Sequence, residues 1–159
     1  MAIEIERKFL LRDDSWRQQA GPANKMRQGY FAGPGKGKQR ASIRVRVDNE
    51  QGYLNIKSYE LSISRQEYEY PIDRADAEKM LDTLCERPLI EKTRYKVVVE
   101  NHTWEIDVFA GDNEGLVVAE IELAAEDESF AMPAWAGEEV SEDPRYYNVS
   151  LIKHPYKDW

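Results

Sequence analysis

Cysteine is almost missing from this 159-residue chain, with Cys85 standing alone. That excludes a disulfide framework and a cysteine-built zinc site. Histidine is scarcely commoner, and His102 and His154 form no metal-ligand spacing. There is no apolar run of membrane-spanning length and no signal peptide, so a cytoplasmic protein without a membrane partner is expected. Basic residues are the minority, 22 against 30 acidic, for a net charge of -8. This balance argues against nucleic acid and anionic membranes as partners. An anionic small ligand stays admissible if the bases are gathered in one place. A bound metal would have to be held by carboxylates, which points to magnesium, manganese or calcium. Neither repeats nor a linker appear, and a single domain over residues 1–159 is expected.

What the chain does have is charge in strict alternation. In Ile3-Glu4-Ile5-Glu6-Arg7-Lys8-Phe9, an extended backbone puts Glu4, Glu6 and Lys8 on one face and Ile3, Ile5 and Phe9 on the other. Same-face neighbours lie roughly 7 Å apart, a spacing at which two carboxylates can share one hard cation. Similar strands are expected at 25–32, 42–47, 52–58, 64–72, 89–99, 103–109 and 116–123, making about eight with mostly antiparallel neighbours. Their same-face charges are sorted by strand. Glu67/Glu69, Glu105/Asp107 and Glu120/Glu122 are acidic; Arg44/Arg46 and Lys92/Arg94/Lys96 are basic, with Lys57 and Arg65 nearby.

Between the strands, Asp14 or Ser15 should cap a short helical turn stopped by Gly21-Pro22. The basic, glycine-rich stretch from Gly33 to Lys38 lacks phosphate-loop spacing and reads as a hairpin loop. Asp73 should cap a helix carrying Ala77, Met80, Leu81, Leu84 and Cys85 on one stripe and ending at Pro88. No chemical role falls to Cys85. Short helices are expected near 126–130 and 141–152.

Two architectures accommodate this pattern. A sandwich would leave the charges outside as weak cross-strand pairs. A closed eight-stranded barrel would turn them inward around a lumen sized for side chains or one small ligand. Such a lumen must be wet and internally paired, because dry burial of so many charges is prohibitive. The physical pattern alone favours the sandwich. Charge sorting, and aromatics on apolar faces with few helices to cover them, lean toward the barrel.

Glu4-Ile5-Glu6-Arg7-Lys8 resembles the Glu-x-Glu-x-Lys motif of the CYTH superfamily, the triphosphate tunnel metalloenzymes. Arg27-Gln28-Gly29-Tyr30, Ile43-Arg44-Val45-Arg46, Leu54-Asn55-Ile56-Lys57, Glu67-Tyr68-Glu69, Lys92-Thr93-Arg94, Glu105-Ile106-Asp107 and Ala119-Glu120-Ile121-Glu122 follow in family order. Asp143 to Asn148 is similar to the short bacterial members. The resemblance implies a mainly β fold, a closed eight-stranded antiparallel tunnel with a charged lumen and a few flanking helices. It implies a small-molecule triphosphate substrate and a magnesium or manganese ion. By the family pattern Lys8, Arg44, Arg46, Lys57, Lys92 and Arg94 would bind phosphate, with Lys8, Arg44 and Arg46 also catalytic. Glu4, Glu6, Asp107, Glu120 and Glu122 would lie on the metal side. Glu67, Glu69 and Glu105 would either share that work or orient bases. Tyr30 would engage Lys8 and belong to the catalytic set, and residues 145–148 would plug or line one tunnel mouth.

The expected activity is metal-dependent hydrolysis of inorganic tripolyphosphate to pyrophosphate and phosphate. Class IV adenylate cyclase and thiamine or nucleoside triphosphatase are the alternatives within the family. A non-catalytic polyphosphate- or nucleotide-binding module is the alternative of another class. A homodimer is left open.

Overall fold

The structure is a computed structural model that describes residues 3–31 and 40–159; the expected loop at 33–38 lies outside them. The strands are β1 (Ile3–Leu11), β2 (Asn24–Tyr30), β3 (Ala41–Val47), β4 (Gly52–Ser58), β5 (Ser64–Ile72), β6 (Ile90–Val99), β7 (His102–Phe109), β8 (Val117–Glu122) and β9 (Ala136–Glu139). They form one sheet in the order β5-β4-β3-β2-β6-β7-β8-β1-β9, and a further β5–β1 pairing closes the first eight into a ring. Every pairing is antiparallel. The sandwich is therefore excluded.

β1 is the strand on which the ring closes. One of its edges pairs with β8 through Glu6 to Leu10. The other is divided: Ile3 to Ile5 pair with β5, while Phe9 and Leu11 pair with β9 across an irregularity in register. Strand alternation then sends Glu4, Glu6 and Lys8 toward the inside and leaves Phe9 among apolar side chains on the outer wall.

Three apolar clusters cover that outer wall. Trp16, from a 3-10 turn at Ser15–Gln19, packs with Trp104, Ile121 and the tail residue Trp135 over β6, β7, β8 and β1. The single α-helix among the described residues, α1 (Arg74–Thr83), lays Ala77 and Leu81 on Val45 and Val47. Tyr146, Val149, Leu151 and Ile152 of the tail pack on Ile90, Phe109 and Val118. Wall cover thus comes mostly from irregular chain, which resolves the apparent shortage of helices.

Several local expectations are corrected. The turn at Ser15 is held by Asp13, whose carboxylate accepts from the Ser15 N–H and hydroxyl; Asp14 makes no capping bond. Asp73 does cap α1, accepting from Ala75 N and Asp76 N. The helix stops at Thr83, however, so Leu84 leaves the stripe and is 60% exposed. Residues 126–130 form no helix, and 141–152 contains only 3-10 turns at Pro144–Tyr146 and Ser150–Ile152. β9 was not expected: Ala136-Gly137-Glu138-Glu139 has no alternating pattern and becomes a strand by docking on β1.

Leu81 is fully buried, so Leu81→Ala should cost about 2–5 kcal/mol, the range for deleting a core leucine side chain. Denaturant melts would read this as a lower midpoint at unchanged slope.

Candidate active site

The ring order does something that no single strand reveals. Around the bore, β4, β3, β2 and β6 are consecutive, and they carry Lys57, Arg44, Arg46, Lys92 and Arg94. The other consecutive run, β7, β8, β1 and β5, carries Glu105, Asp107, Glu120, Glu122, Glu4, Glu6, Glu67 and Glu69. A basic arc therefore closes against an acidic one, with Lys8 and Arg65 as basic exceptions on the acidic side. Between them lies a cavity of about 220 Å³ lined by seven acidic and seven basic side chains.

Most of these charges are paired across the strands. Lys57 Nζ lies 2.8 Å from Glu4 and 3.3 Å from Glu67. Glu69 receives Arg44 at 3.7 Å and Arg46 at 3.5 Å, and Asn55 donates to it at 3.1 Å. Lys8 lies 3.5 Å from Glu120 and donates to the Tyr146 carbonyl at 3.0 Å. Arg94 grips Asp107 with Nε at 2.7 Å and Nη2 at 2.9 Å, and reaches Glu105 at 3.1 Å. Lys92 holds Asp107 at 2.8 Å and Asn148 Oδ1 at 3.0 Å.

Asp107 differs from the four other carboxylates expected on the metal side. It is fully buried, it does not line the cavity, and both its oxygens are occupied by Arg94 and Lys92. Burial would raise its pKa, but Arg94 and Lys92 outweigh that and hold it well below the usual range. Burial also pulls Lys92 down to about 8, against the attraction of Asp107. Asp107 is the anchor of the two bases rather than a surface of the cavity.

Glu6 and Glu122 are the reverse case. They face each other in register, and among the described residues neither has a cation within 4 Å. Burial, then the charges of Glu120 and Glu4, push the Glu6 pKa well up. Burial, Glu4, Glu67 and Glu105 raise that of Glu122. The acidic arc thus holds uncompensated negative charge on oxygen donors alone, which fits a hard divalent cation. Among the described residues no three carboxylates converge into a ready-made metal cage. Magnesium does not require one, since it commonly takes one or two carboxylates and completes its shell with water and phosphate.

Glu67, Glu69 and Glu105 sit beside bases and hold them. Tyr30 lines the cavity opposite Arg44 in register. Among the described residues no hydrogen bond joins Tyr30 to Lys8, whose ammonium donates to the Tyr146 carbonyl. The ring nearest the Lys8 ammonium is Tyr147, 5.8 Å away. Arg65 has no carboxylate within 4 Å among the described residues and lies over Tyr147. Tyr147 and Asn148, from the segment expected to plug or line one tunnel mouth, are cavity residues, whereas Arg145 and Tyr146 do not line the cavity. Arg65 is a cavity residue left out of the expected site; its shared face with Glu67 and Glu69 was the available signal. Cys85 lies outside the cavity, with burial pushing its thiol up to about 11, in keeping with no chemical role.

Residues 2–156 match the family model described as the CYTH domain. A protein of Acetivibrio thermocellus named inorganic triphosphatase is 49% identical over all of this chain and 99% of its own length. One of Nitrosomonas europaea with the same name is 39% identical over 93% of this chain and 95% of its own. A solved structure of an inorganic triphosphatase superposes with a TM-score of 0.65 at 36% identity, covering 96% of this chain and 95% of that one.

Asp107→Asn should destabilise the protein by about 3–5 kcal/mol, because it leaves Arg94 and Lys92 buried without their counter-charge. Glu122→Gln, at an exposed and unpaired position, should stay within about 0.5 kcal/mol. Paired thermal and denaturant melts compare the two. The Asp107 contribution is present above the unfolded carboxylate pKa and lost as pH falls through the depressed folded value.

Proposed function

Because the chain belongs to the CYTH family, we propose that its bore hydrolyses inorganic tripolyphosphate to pyrophosphate and phosphate with a divalent cation. The observation that carries this reading is the closed arc of arginines and lysines facing a closed arc of carboxylates. Relatives named inorganic triphosphatase over essentially the whole chain favour the linear triphosphate over cyclase, thiamine or nucleoside substrates.

Charge bookkeeping explains the metal requirement. The cavity already balances its seven bases with seven acids, so a triphosphate arriving alone would leave several negative charges unmatched inside a partly desolvated bore. A divalent ion, magnesium or manganese, would neutralise phosphate charge and lower the pKa of a bound water. Glu4, Glu6, Glu120 and Glu122 would hold it.

On the basic arc, Arg44, Arg46, Lys57, Lys92 and Arg94 bind phosphate oxygens, with Lys8 reaching from the opposite side. Arginine suits this task because its planar fork takes two oxygens at once. Among the described residues the Nε atoms of Arg44 and Arg46 are buried without a partner, leaving donors for an anion to satisfy. Tyr30 supports Arg44. A carboxylate of the acidic arc would accept the proton of the attacking water in an in-line displacement.

Phosphate release from tripolyphosphate should require magnesium or manganese and stop on chelation or with Glu6→Gln. Arg44→Ala should slow turnover on the order of 100-fold, as loss of one transition-state donor does. A change under about threefold would remove Arg44 from the site. Triphosphate-induced thermal stabilisation without turnover would instead identify a binding module.

A further inference from the structure

The basic arc is recessed at Lys92. Its side chain is only 2% exposed. Two of the three N–H bonds that a lysine ammonium offers are spent, on Asp107 at 2.8 Å and on Asn148 Oδ1 at 3.0 Å. Little of this charge meets the cavity directly. The Asn148 amide beside it does, since Asn148 lines the cavity.

That amide has one workable orientation. A charged lysine donates and never accepts, so the atom facing its Nζ must be the Asn148 oxygen. Gln28 on β2 then has to offer the same oxygen a donor, and its Nε2 does so at 2.9 Å. Gln28 is fully buried, and among the described residues its own Oε1 has no partner. An amide that leaves a buried acceptor unmet in order to donate at its other atom is oriented by its neighbour. With two donors on Oδ1, Asn148 Nδ2 is turned away from both. Among the described residues Nδ2 has no hydrogen-bond partner, yet it is not walled off as Gln28 Oε1 is. Tyr146 and Val149, packed in an apolar cluster, pin the chain close on either side.

We infer that Asn148 is a phosphate-binding residue whose Nδ2–H donates to a substrate oxygen, and that Gln28 is the positioning residue that holds its amide in this sense. The run Asp107–Lys92–Asn148 passes the pull of a buried cation through a neutral group. An ammonium on Oδ1 polarises the amide and strengthens its N–H as a donor. A neutral donor also leaves the seven acids and seven bases of the cavity in balance. This rests on the triphosphatase reading and adds to it two uncharged residues, one touching substrate and one acting through the other.

The test is the order of kcat/KM for phosphate release from tripolyphosphate by the full chain with magnesium or manganese. Asn148→Ala should lower it about tenfold or more, as loss of a hydrogen bond to a charged group does. Asn148→Asp keeps an oxygen for Lys92 and Gln28 but exchanges the donor for an anion. It should therefore fall below Asn148→Ala in kcat/KM while melting no lower. A residue that only accepts from Lys92 and Gln28 gives the opposite order, with Asn148→Asp close to wild type, and that result overturns the inference. Gln28→Met should cost about threefold or more in wild type and less than about twofold on top of Asn148→Ala, because it acts through that residue. Losses that multiply independently overturn the inference too, and this cycle decides alone should Asn148→Asp not fold. Absence of turnover in wild type overturns the triphosphatase reading and the inference with it, whereas wild-type turnover with the opposite order overturns the inference alone.

Discussion

The structure depends on electrical neutrality inside a closed sheet. An eight-stranded ring has room for side chains and little else, and this one faces fourteen charged groups into that space. Such an interior is tolerable only when each charge finds an opposite one and water or ligand fills the remainder. Strand order meets the condition with a basic arc against an acidic arc. Asp107, beneath both Arg94 and Lys92, ties the arcs together at one seam, and Lys57 between Glu4 and Glu67 ties them at the other. Among the described residues Glu6 and Glu122 have no cation beside them, and such a pair of carboxylates is where a counter-ion belongs.

The outer wall follows from the same arrangement. Once alternation assigns charges to the inside, every second residue is apolar and must be covered from without. One helix covers β3 and β4, and irregular chain covers most of the rest. The tail does two jobs in consecutive residues. Tyr146 and Val149 belong to an apolar cluster, while the Tyr146 carbonyl and the Asn148 side chain supply oxygens to Lys8 and Lys92. Barrel stability and the shape of the cavity are thereby joined in one short segment.

Much of this was legible in the sequence where period and charge coincide. Strand β3, with Arg44 and Arg46 alternating against Val45 and Val47, could hardly be read otherwise. The residues expected to bind phosphate all line one cavity, as do Glu4, Glu6, Glu120 and Glu122. Direction was the illegible part. Alternation states that two faces differ but not which is inside, so the residues alone leaned toward a sandwich. The other misses share a cause. β9 and the partner of Lys8 are set by long-range docking of a tail without periodicity, and the exposure of Leu84 by where a helix happens to stop. Asp107 looked equivalent to Glu105 along its strand, and only the register with Lys92 and Arg94 separates an anchor from a lining group.

β1 has three neighbours, and none is close to it in the chain: β5 lies beyond the second hairpin, β8 near residue 120, β9 near residue 138. Contacts of such long range carry a loop-closure cost that local hairpins such as β6 and β7 avoid. β1 is therefore among the last strands to find its place. Until it does, Glu4, Glu6 and Lys8 are spectators on an unpaired strand, and a folding chain can hold most of its sheet while possessing no bore at all.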